Sequence, residues 1–283
     1  MPPETNKPDK YLLYQSSVQN PVYEVNFMRR VYRKIRGRSP LLLREDFCGT
    51  AVLACEWVRM IRGGRAVGVD LDESTLQWAA ENNIARLGAK AEGIELACCD
   101  VLTAANYESD IVTAFNFSYC VFKEREILLS YFRKVHETLS STGIFFLDLY
   151  GGPEAQVIQE ESREVDEEGL RFSYVWDQAD YNPVTGETVC HIHFDLPGGN
   201  RIERAFSYDW RLWNLPELKD LLREAGFEKI DVYWESTDHS TGEGNGTFRM
   251  SRKGDDSRSW ICYLVATLSL IHISEPTRPL YIS

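Results

Sequence analysis

Short apolar segments alternate with amphipathic segments between residues 41 and 149, and this alternation constrains the fold more than any other feature. The apolar segments have the length of buried strands, and the segments between them carry apolar residues at helical spacing. A repeated strand, helix, strand order implies right-handed crossovers, a parallel sheet and helices on both of its faces. The fold class is therefore α/β. The predicted strands are Leu41–Leu43, Arg65–Val69, Ile94–Cys99, Asp110–Phe117 and Ile144–Leu149.

Three helices are predicted between these strands. The first covers Ala51–Ile61. The second has Asp72 as its N-terminal cap and Gly88 at its end, two residue types that suit these positions. Its apolar stripe consists of Leu76, Ala80, Ile84 and Leu87, and the stripe of the third helix consists of Ile127, Tyr131, Val135 and Leu139.

The pattern changes after residue 150. Between about residues 170 and 208 the chain reads as antiparallel strands joined by hairpin turns. The α/β pattern then resumes with LPELKDLLREAGF, in which Pro216 suits a helix start and Gly226 a helix end. Strands Ile230–Trp234 and Trp260–Ala266 follow, separated by a loop rich in Gly, Ser and Asp. Residues 151–209 thus form a small antiparallel β insertion in a domain spanning 37–267, and we expect it to cover the active site.

Both ends of the chain differ from this domain. Residues 1–20 have the composition of a polar arm, and a stripe of apolar residues predicts an amphipathic helix from Pro21 to Ile35. We interpret 1–36 as an N-terminal arm and lid helix. The segment LSLIHISEPTR (268–278) resembles the translation of a sequencing-library adapter. We therefore treat 268–283 as an artefactual tail and expect the natural sequence to be interrupted near Thr267.

Composition excludes several classes of partner. The net charge of −12 argues against binding to nucleic acid or to a membrane surface, because both partners are polyanionic. No apolar stretch is long enough to cross a membrane, and the N-terminus lacks the apolar core of a secretory signal. The seven cysteines lie mostly in apolar runs and read as reduced core thiols. These features predict a cytoplasmic protein that acts on a small molecule.

Acidic residues follow three successive predicted strands. Glu45 or Asp46 follows the first strand, Asp70 the second and Asp100 the third. Since the carboxyl ends of parallel strands share one sheet edge, these side chains are expected to converge there with the turn at Gly49. Asp70 is placed to accept hydrogen bonds from ribose hydroxyls, and Asp100 to contact an adenine amine. A nucleoside-type cofactor is the predicted ligand.

The ordered segments REDFCGTA, AVGVDLDESTLQWA, LACCDVL, DIVTAFNFSYCVF and LSSTGIFFLDLY resemble the motifs of class I S-adenosylmethionine-dependent methyltransferases, which have a Rossmann-like sheet. The resemblance covers about 36–150 and 210–267. It implies S-adenosyl-L-methionine as the cofactor and a methyl group as the transferred group. The cofactor-binding residues that it implies are Glu45, Phe47, Cys48, Gly49, Thr50, Asp70, Leu71, Asp100, Val101, Asn116 and Phe117.

The turn departs from the family pattern. The family commonly has glycine at three alternate positions, whereas this chain has Phe47, Gly49 and Ala51. The same departure weakens the main rival, an NAD(P)-dependent oxidoreductase, because FCGTAV lacks the G-x-G-x-x-G spacing that lets a pyrophosphate approach the backbone. A second rival is a regulatory module that binds S-adenosylmethionine without catalysis. An open acceptor cavity would favour the enzyme.

The methyl acceptor and the catalytic residues are not specified by the sequence. Asn116 and Tyr119 follow the fourth strand, where they could contact an O, N or C acceptor. Tyr14 in the N-terminal arm could close over the site, and Trp176 in the insertion could line an acceptor pocket. No metal site is predicted. In CHIH, Cys190 points away from His191 and His193, which we interpret as a half-exposed strand face.

Overall fold

The computed structural model describes residues 8–167, 169–237 and 244–269. Within these residues one large sheet has the strand order β11-β10-β12-β5-β4-β1-β2-β3. The pairs among β1 to β5 are parallel, and β10, β11 and β12 run antiparallel to their neighbours. The strands are β1 (Leu42–Asp46), β2 (Arg65–Asp70), β3 (Ile94–Cys98), β4 (Ser109–Ala114), β5 (Leu139–Gly151), β10 (Lys229–Thr237), β11 (Gly244–Met250) and β12 (Trp260–Thr267).

Two hydrophobic cores lie on opposite faces of this sheet. Successive side chains of a strand point to opposite faces, so Ile144 and Phe146 belong to one core and Phe145 and Leu147 to the other. Helices on both faces complete these cores, which confirms the predicted α/β fold. The helices are α2 (Pro21–Arg36), α3 (Val52–Met60), α4 (Glu73–Asn82), α5 (Arg125–Thr138) and α6 (Leu215–Glu224).

A second sheet of four antiparallel strands has the order β6-β7-β8-β9. It confirms the predicted antiparallel insertion. Its strands are β6 (Gln159–Glu167), β7 (Leu170–Asn182), β8 (Glu187–Leu196) and β9 (Asn200–Arg211). A third core, which includes Phe172, Ile192 and Phe194, packs this sheet against Leu13 of the N-terminal segment.

Local signals placed several helix boundaries correctly. Asp72 accepts hydrogen bonds from the backbone N–H groups of Ser74 and Thr75, as expected of a cap. Pro216 lies in the first turn of α6 as predicted, and Asn214 and Glu217 also form a capping box there. The second predicted helix is shorter than its stripe, because α4 ends at Asn82 and a 3₁₀ segment, Ile84–Gly93, follows with a kink at Gly88.

Three elements lie where the sequence predicted none. Residues 10–18 of the predicted polar arm form helix α1 (Lys10–Val18), while residues 1–7 lie outside the described part. Strand β6 was not predicted because most of its side chains are polar and exposed. Strand β11 occupies part of the predicted loop. The tail 270–283 lies outside the described residues, and no helix among the described residues is long and apolar enough to span a membrane.

Candidate active site

The turn after β1 has left-handed backbone at three alternate residues. The φ angles of Phe47, Gly49 and Ala51 are 57°, 49° and 53°. These are the positions at which the family commonly carries glycine. The left-handed backbone is therefore kept in this chain, although Phe and Ala replace two of the glycines. The ring of Phe47 packs against Phe122 and Tyr131, with centroid distances of 5.9 and 5.7 Å. The left-handed backbone of Phe47 is strained because the residue has a Cβ atom, which glycine lacks. The packing of its ring offsets this strain.

Replacing Ala51 by Gly is expected to raise the free energy of unfolding by about 0.5–1 kcal/mol, since a left-handed L-residue costs about 1–2 kcal/mol and the added chain entropy of Gly offsets part of the gain. Urea unfolding measures the change. The matched control is Ala54→Gly, a buried position with helical backbone in α3, where about 1 kcal/mol of stability should be lost. Equal losses in both variants would show that Ala51 carries no strain.

Asp70 lies at the end of β2 and holds the neighbouring turn. One carboxylate oxygen accepts the N–H of Gly49 at 2.7 Å, and the other accepts the N–H of Asp72 at 3.0 Å. A carboxylate can accept about four hydrogen bonds, so it retains capacity for ribose hydroxyls. Leu71 beside it is 69% exposed. Asp100 is part-buried after β3 and accepts the N–H of Leu102 at 2.9 Å.

The two candidate acids at the end of β1 have different environments. Asp46 accepts two hydrogen bonds from Arg44, at 2.6 and 3.2 Å, and both side chains are fully buried. Asp46 is therefore part of the core and is not available to a ligand. Glu45 accepts the N–H of Ala54 at 2.9 Å, at the start of α3. Burial raises the pKa of Glu45 well above its usual range.

Three other predicted cofactor residues are buried. Cys48 lies in the core, where its sulfur would be 2.8 Å from a Cβ added at Gly68, so its side chain cannot contact a cofactor. The prediction for that side chain is corrected, and only the backbone of Cys48 remains a candidate. Thr50 accepts a hydrogen bond from Gln15 at 2.7 Å. The carbonyl of buried Val101 accepts a hydrogen bond from Arg44 at 3.2 Å.

The turn after β4 contains two consecutive left-handed residues, Asn116 and Phe117, with φ angles of 56° and 57°. Their N–H groups donate to the two oxygens of Asp148 on β5, at 2.8 and 2.9 Å. Successive N–H groups in such a turn form an anion-binding concavity, and here a protein carboxylate fills it. Asp148 is not among the predicted site residues, although FFLDLY places an acid near the carboxyl end of β5.

Tyr119 is 0% exposed, and its hydroxyl donates to the carbonyl of Asp148 at 2.6 Å. The predicted substrate contact of Tyr119 is therefore wrong. Its side chain is committed to the core that supports the turn, because a buried hydroxyl requires an internal partner.

Two carboxylic acids near this turn titrate near neutrality. Burial raises the pKa of Asp148 to about 7, although two backbone N–H groups act in the opposite direction. Burial, and then the charge of Asp148, raise the pKa of Glu24 on α2 to about 8. Among the described residues, neither acid forms an ion pair, and the same holds for Glu45 and Asp70.

A cavity of about 360 Å³ lies between this turn and the inner face of the second sheet. Asn116 and Phe117 line it from the large sheet, Tyr14 lines it from α1, and Trp176 lines it from β7. Three of the four predicted substrate-side residues, Asn116, Tyr14 and Trp176, thus lie around one cavity. Its other aromatic lining residues are Tyr150, Tyr174, Tyr208 and Trp210.

Comparison with known proteins identifies the fold. Neither a protein-family model nor a curated protein sequence matches the chain. Among similar solved structures is an S-adenosylmethionine-dependent methyltransferase from Clostridium acetobutylicum, with 17% identity, a TM-score of 0.67 and coverage of 92% of this chain and 97% of that chain. The chain has the class I methyltransferase fold.

Two further structures with this fold have named acceptors. An amino pentose methyltransferase from Micromonospora echinaspora, solved with S-adenosylmethionine bound, has 15% identity, a TM-score of 0.65 and coverage of 92% of this chain and 96% of that chain. A sugar N-methyltransferase from Streptoalloteichus has 17% identity, a TM-score of 0.62 and coverage of 92% of both chains.

In this methyltransferase fold, α1 bridges α4, which packs on the large sheet, and the second sheet. Tyr11 and Thr75 share a hydrogen bond of 2.9 Å, and Trp78 donates to Asp9 at 2.6 Å. On the other side, Tyr14 packs against Phe206 of β9 with ring centroids 4.9 Å apart. The segment expected to act as a lid therefore contacts both walls of the cleft.

The histidines of β8 lie apart from this cavity's lining residues. The predicted half-exposed face is wrong, because His191 and His193 are only 7% and 4% exposed. His193 contacts Asp177 at 3.3 Å, and these two residues and Glu160 have ligand atoms within 4.8 Å of one another. Glu160 also accepts a hydrogen bond from Arg201 at 2.8 Å, so a cation of the protein already lies at this cluster.

Proposed function

We propose that the protein is an S-adenosylmethionine-dependent methyltransferase that acts on a small-molecule acceptor. The observation that carries this proposal is the set of four carboxylic acids, Glu24, Glu45, Asp70 and Asp148, that have no ion pair within the described residues. The raised pKa values of Glu24, Glu45 and Asp148 indicate a site that disfavours further negative charge and favours a cation. The sulfonium and ammonium groups of S-adenosylmethionine supply positive charge.

The acids disfavour one rival, and the cavity disfavours the other. A nicotinamide dinucleotide would bring two phosphate charges to a site that is already acidic, and the turn lacks the glycine spacing for close pyrophosphate approach. A non-catalytic module needs no acceptor cavity. The cavity of about 360 Å³ beside Asn116 and Phe117 has the size of a small-molecule site and supports catalysis.

The residues of the chain would act mainly by orientation. S-Adenosylmethionine, when bound, supplies an activated methyl group. Gly49, Asp70 and Asp100 would hold the nucleoside, and Asn116 and Phe117 would separate it from the acceptor cavity. Alignment of this kind contributes up to about 7–11 kcal/mol in favourable cases. The insertion 151–209 and α1 would exclude water above the cleft.

The test is isothermal titration of the full chain with S-adenosylmethionine, S-adenosylhomocysteine and NAD. We expect both sulfur compounds to bind and NAD to give no heat. Binding of NAD without a response to either sulfur compound would overturn the proposal.

We also retain the cytoplasm as the proposed location, because all seven cysteines are described and none forms a disulfide.

Replacing Asp70 by Ala is expected to weaken S-adenosylhomocysteine binding by at least tenfold, about 1.4 kcal/mol. The variant loses both the ribose acceptor and the anchor of Gly49. A cofactor analogue that lacks the ribose hydroxyls separates these two roles. If Asp70 contacts the ribose, the wild type will prefer the hydroxylated compound and the variant will not. If the wild type and the variant prefer the hydroxylated compound equally, Asp70 only anchors the turn at Gly49 and does not contact the ribose.

Binding of S-adenosylmethionine is expected to tighten as pH rises through about 7 and about 8, the raised pKa values of Asp148 and Glu24. Both acids are mainly protonated below these values, and a cation favours their ionised forms. S-Adenosylhomocysteine lacks the sulfonium charge and serves as the matched ligand, for which we expect a weaker pH dependence. Titrations across this range in constant ionic strength measure both. Parallel pH profiles would contradict the proposed proximity of the sulfonium to these acids.

A further inference from the structure

We infer that the methyl acceptor is an amine that enters the cavity as its ammonium form. This inference rests on the proposed function and specifies the chemical class of its substrate. It comes from three properties of the cavity: aromatic residues on two walls, the lining carboxylate Glu161 together with Asp148 behind the lining turn, and a single lining cation, Arg163.

The aromatic walls place several rings beside the space that an organic cation would occupy. Trp176, Tyr208 and Trp210 form one cluster on the second sheet, with centroid distances of 6.0, 6.3 and 4.4 Å. Phe117 and Tyr150 form a pair on the large sheet, with a centroid distance of 4.7 Å. Ammonium groups bind aromatic faces within about 6 Å, with preference for Trp. An uncharged hydroxyl gains no comparable attraction from these rings.

The charged groups around the cavity also favour a cation. Glu161 lies opposite Trp176 in the register of β6 and β7, and it forms no ion pair with a described residue. Asp148 lies behind Asn116 and Phe117 on the opposite side. The other lining carboxylate, Glu154, pairs with Arg258 at 2.9 Å. Two carboxylates therefore remain without a cationic partner among the described residues.

Arg163 is the cationic side chain among the lining residues. It donates to the carbonyl of Ser17, and its guanidinium lies 5.0 Å from the centroid of Tyr174. This guanidinium keeps its charge, but two carboxylates without an ion pair, Glu161 and Asp148, outnumber it, so a carboxylate or phosphate acceptor would meet an excess of negative charge. The contact with Tyr174 also shows that the aromatic lining accommodates a positive charge.

The reaction of an amine balances without a further reagent. The ammonium first loses one proton to water at the open mouth of the cavity. The nitrogen lone pair then forms the N–C bond while the S–CH3 bond breaks and its electron pair returns to sulfur. The product amine carries the positive charge that the sulfonium has lost.

The test uses cyclohexylamine and cyclohexanol, two probes that share a ring and differ in charge near neutral pH. Each is titrated into the full chain saturated with S-adenosylhomocysteine, and tryptophan fluorescence and heat are recorded. We expect the amine to bind at least tenfold more tightly than the alcohol. We also expect Trp176→Leu and Glu161→Gln each to weaken amine binding by at least threefold. Glu164→Gln, on the opposite face of the same strand, is the matched control and should not change it.

The outcomes separate the two proposals. Binding of S-adenosylhomocysteine without amine binding, or with equal affinity for amine and alcohol, would overturn the inference and leave the proposed function standing. Failure of the protein to bind either sulfur cofactor would overturn both. Loss of amine affinity in Glu164→Gln equal to that in Glu161→Gln would remove the assignment to this cavity.

Discussion

Replacing Asp46 by Asn is expected to lower the free energy of unfolding by about 3–5 kcal/mol, because removal of one partner leaves a buried charge without compensation. Arg44 and Asp46 are both fully buried and joined by two hydrogen bonds. Tyr131 also donates to Asp46 at 2.9 Å. Asn keeps the shape of the side chain but loses the charge. Urea unfolding followed by tryptophan fluorescence measures the loss.

A paired replacement, Arg44→Met with Asp46→Leu, is the control for this effect. It removes both charges, so we expect it to be more stable than Asp46→Asn. If Asp46→Asn is too unstable to purify, the paired variant is still informative. We expect it to fold, because it leaves no buried charge without a partner. A loss of less than about 1 kcal/mol in Asp46→Asn would show that the guanidinium does not depend on this carboxylate.

Replacing Asp148 by Asn is expected to weaken binding of S-adenosylmethionine by at least thirtyfold, about 2 kcal/mol. Asn has one acceptor oxygen for the two N–H groups of Asn116 and Phe117, and its amide would face the other N–H. A buried N–H without a partner costs about 1–3 kcal/mol. The variant also removes a negative charge from the proposed sulfonium site. Isothermal titration measures the affinity, with S-adenosylhomocysteine expected to lose less.

Thr113→Val is the matched control for Asp148→Asn. Thr113 lies on β4, three residues before Asn116, and its buried hydroxyl has no hydrogen-bond partner in the described residues. Removing this hydroxyl should leave cofactor affinity within about twofold of the wild type. Unchanged affinity in Asp148→Asn would mean that Asp148 neither holds the turn nor acts on the sulfonium.

The strand positions of the parallel region and the N-terminal cap of α4 could be predicted because each depends on residues close together in the sequence. Asp72 caps α4 through N–H groups two and three residues away. Asp70 and Asp100 were placed at strand ends by the length of apolar segments alone. Strands β6 and β11 could not be predicted in this way. They are polar and largely exposed. Strand β6 is ordered by pairing with β7, and strand β11 by pairing with β10.

Local sequence patterns also could not predict the hydrogen-bond and ion-pair partners of polar side chains. Glu45 and Asp46 are adjacent in sequence, yet one accepts an N–H of α3 and the other binds Arg44 within the core. Nothing in LLREDF distinguishes them, because alternation places them on opposite faces without specifying what covers each face. Tyr119 and Asp148 show the same limit, since their contact joins residues on different elements.

The sequence by itself determined the α/β class, the positions of the strand ends and the sheet edge where Gly49, Asp70 and Asp100 lie. These follow from periodicity and capping, which act over a few residues. Only the tertiary structure decided that Asp148 holds the turn at Asn116 and Phe117, that Tyr119 and Cys48 lie in the core, and that α1 contacts both α4 and the second sheet. Burial and hydrogen-bond partners depend on elements far apart in the chain, and only folding brings those elements together.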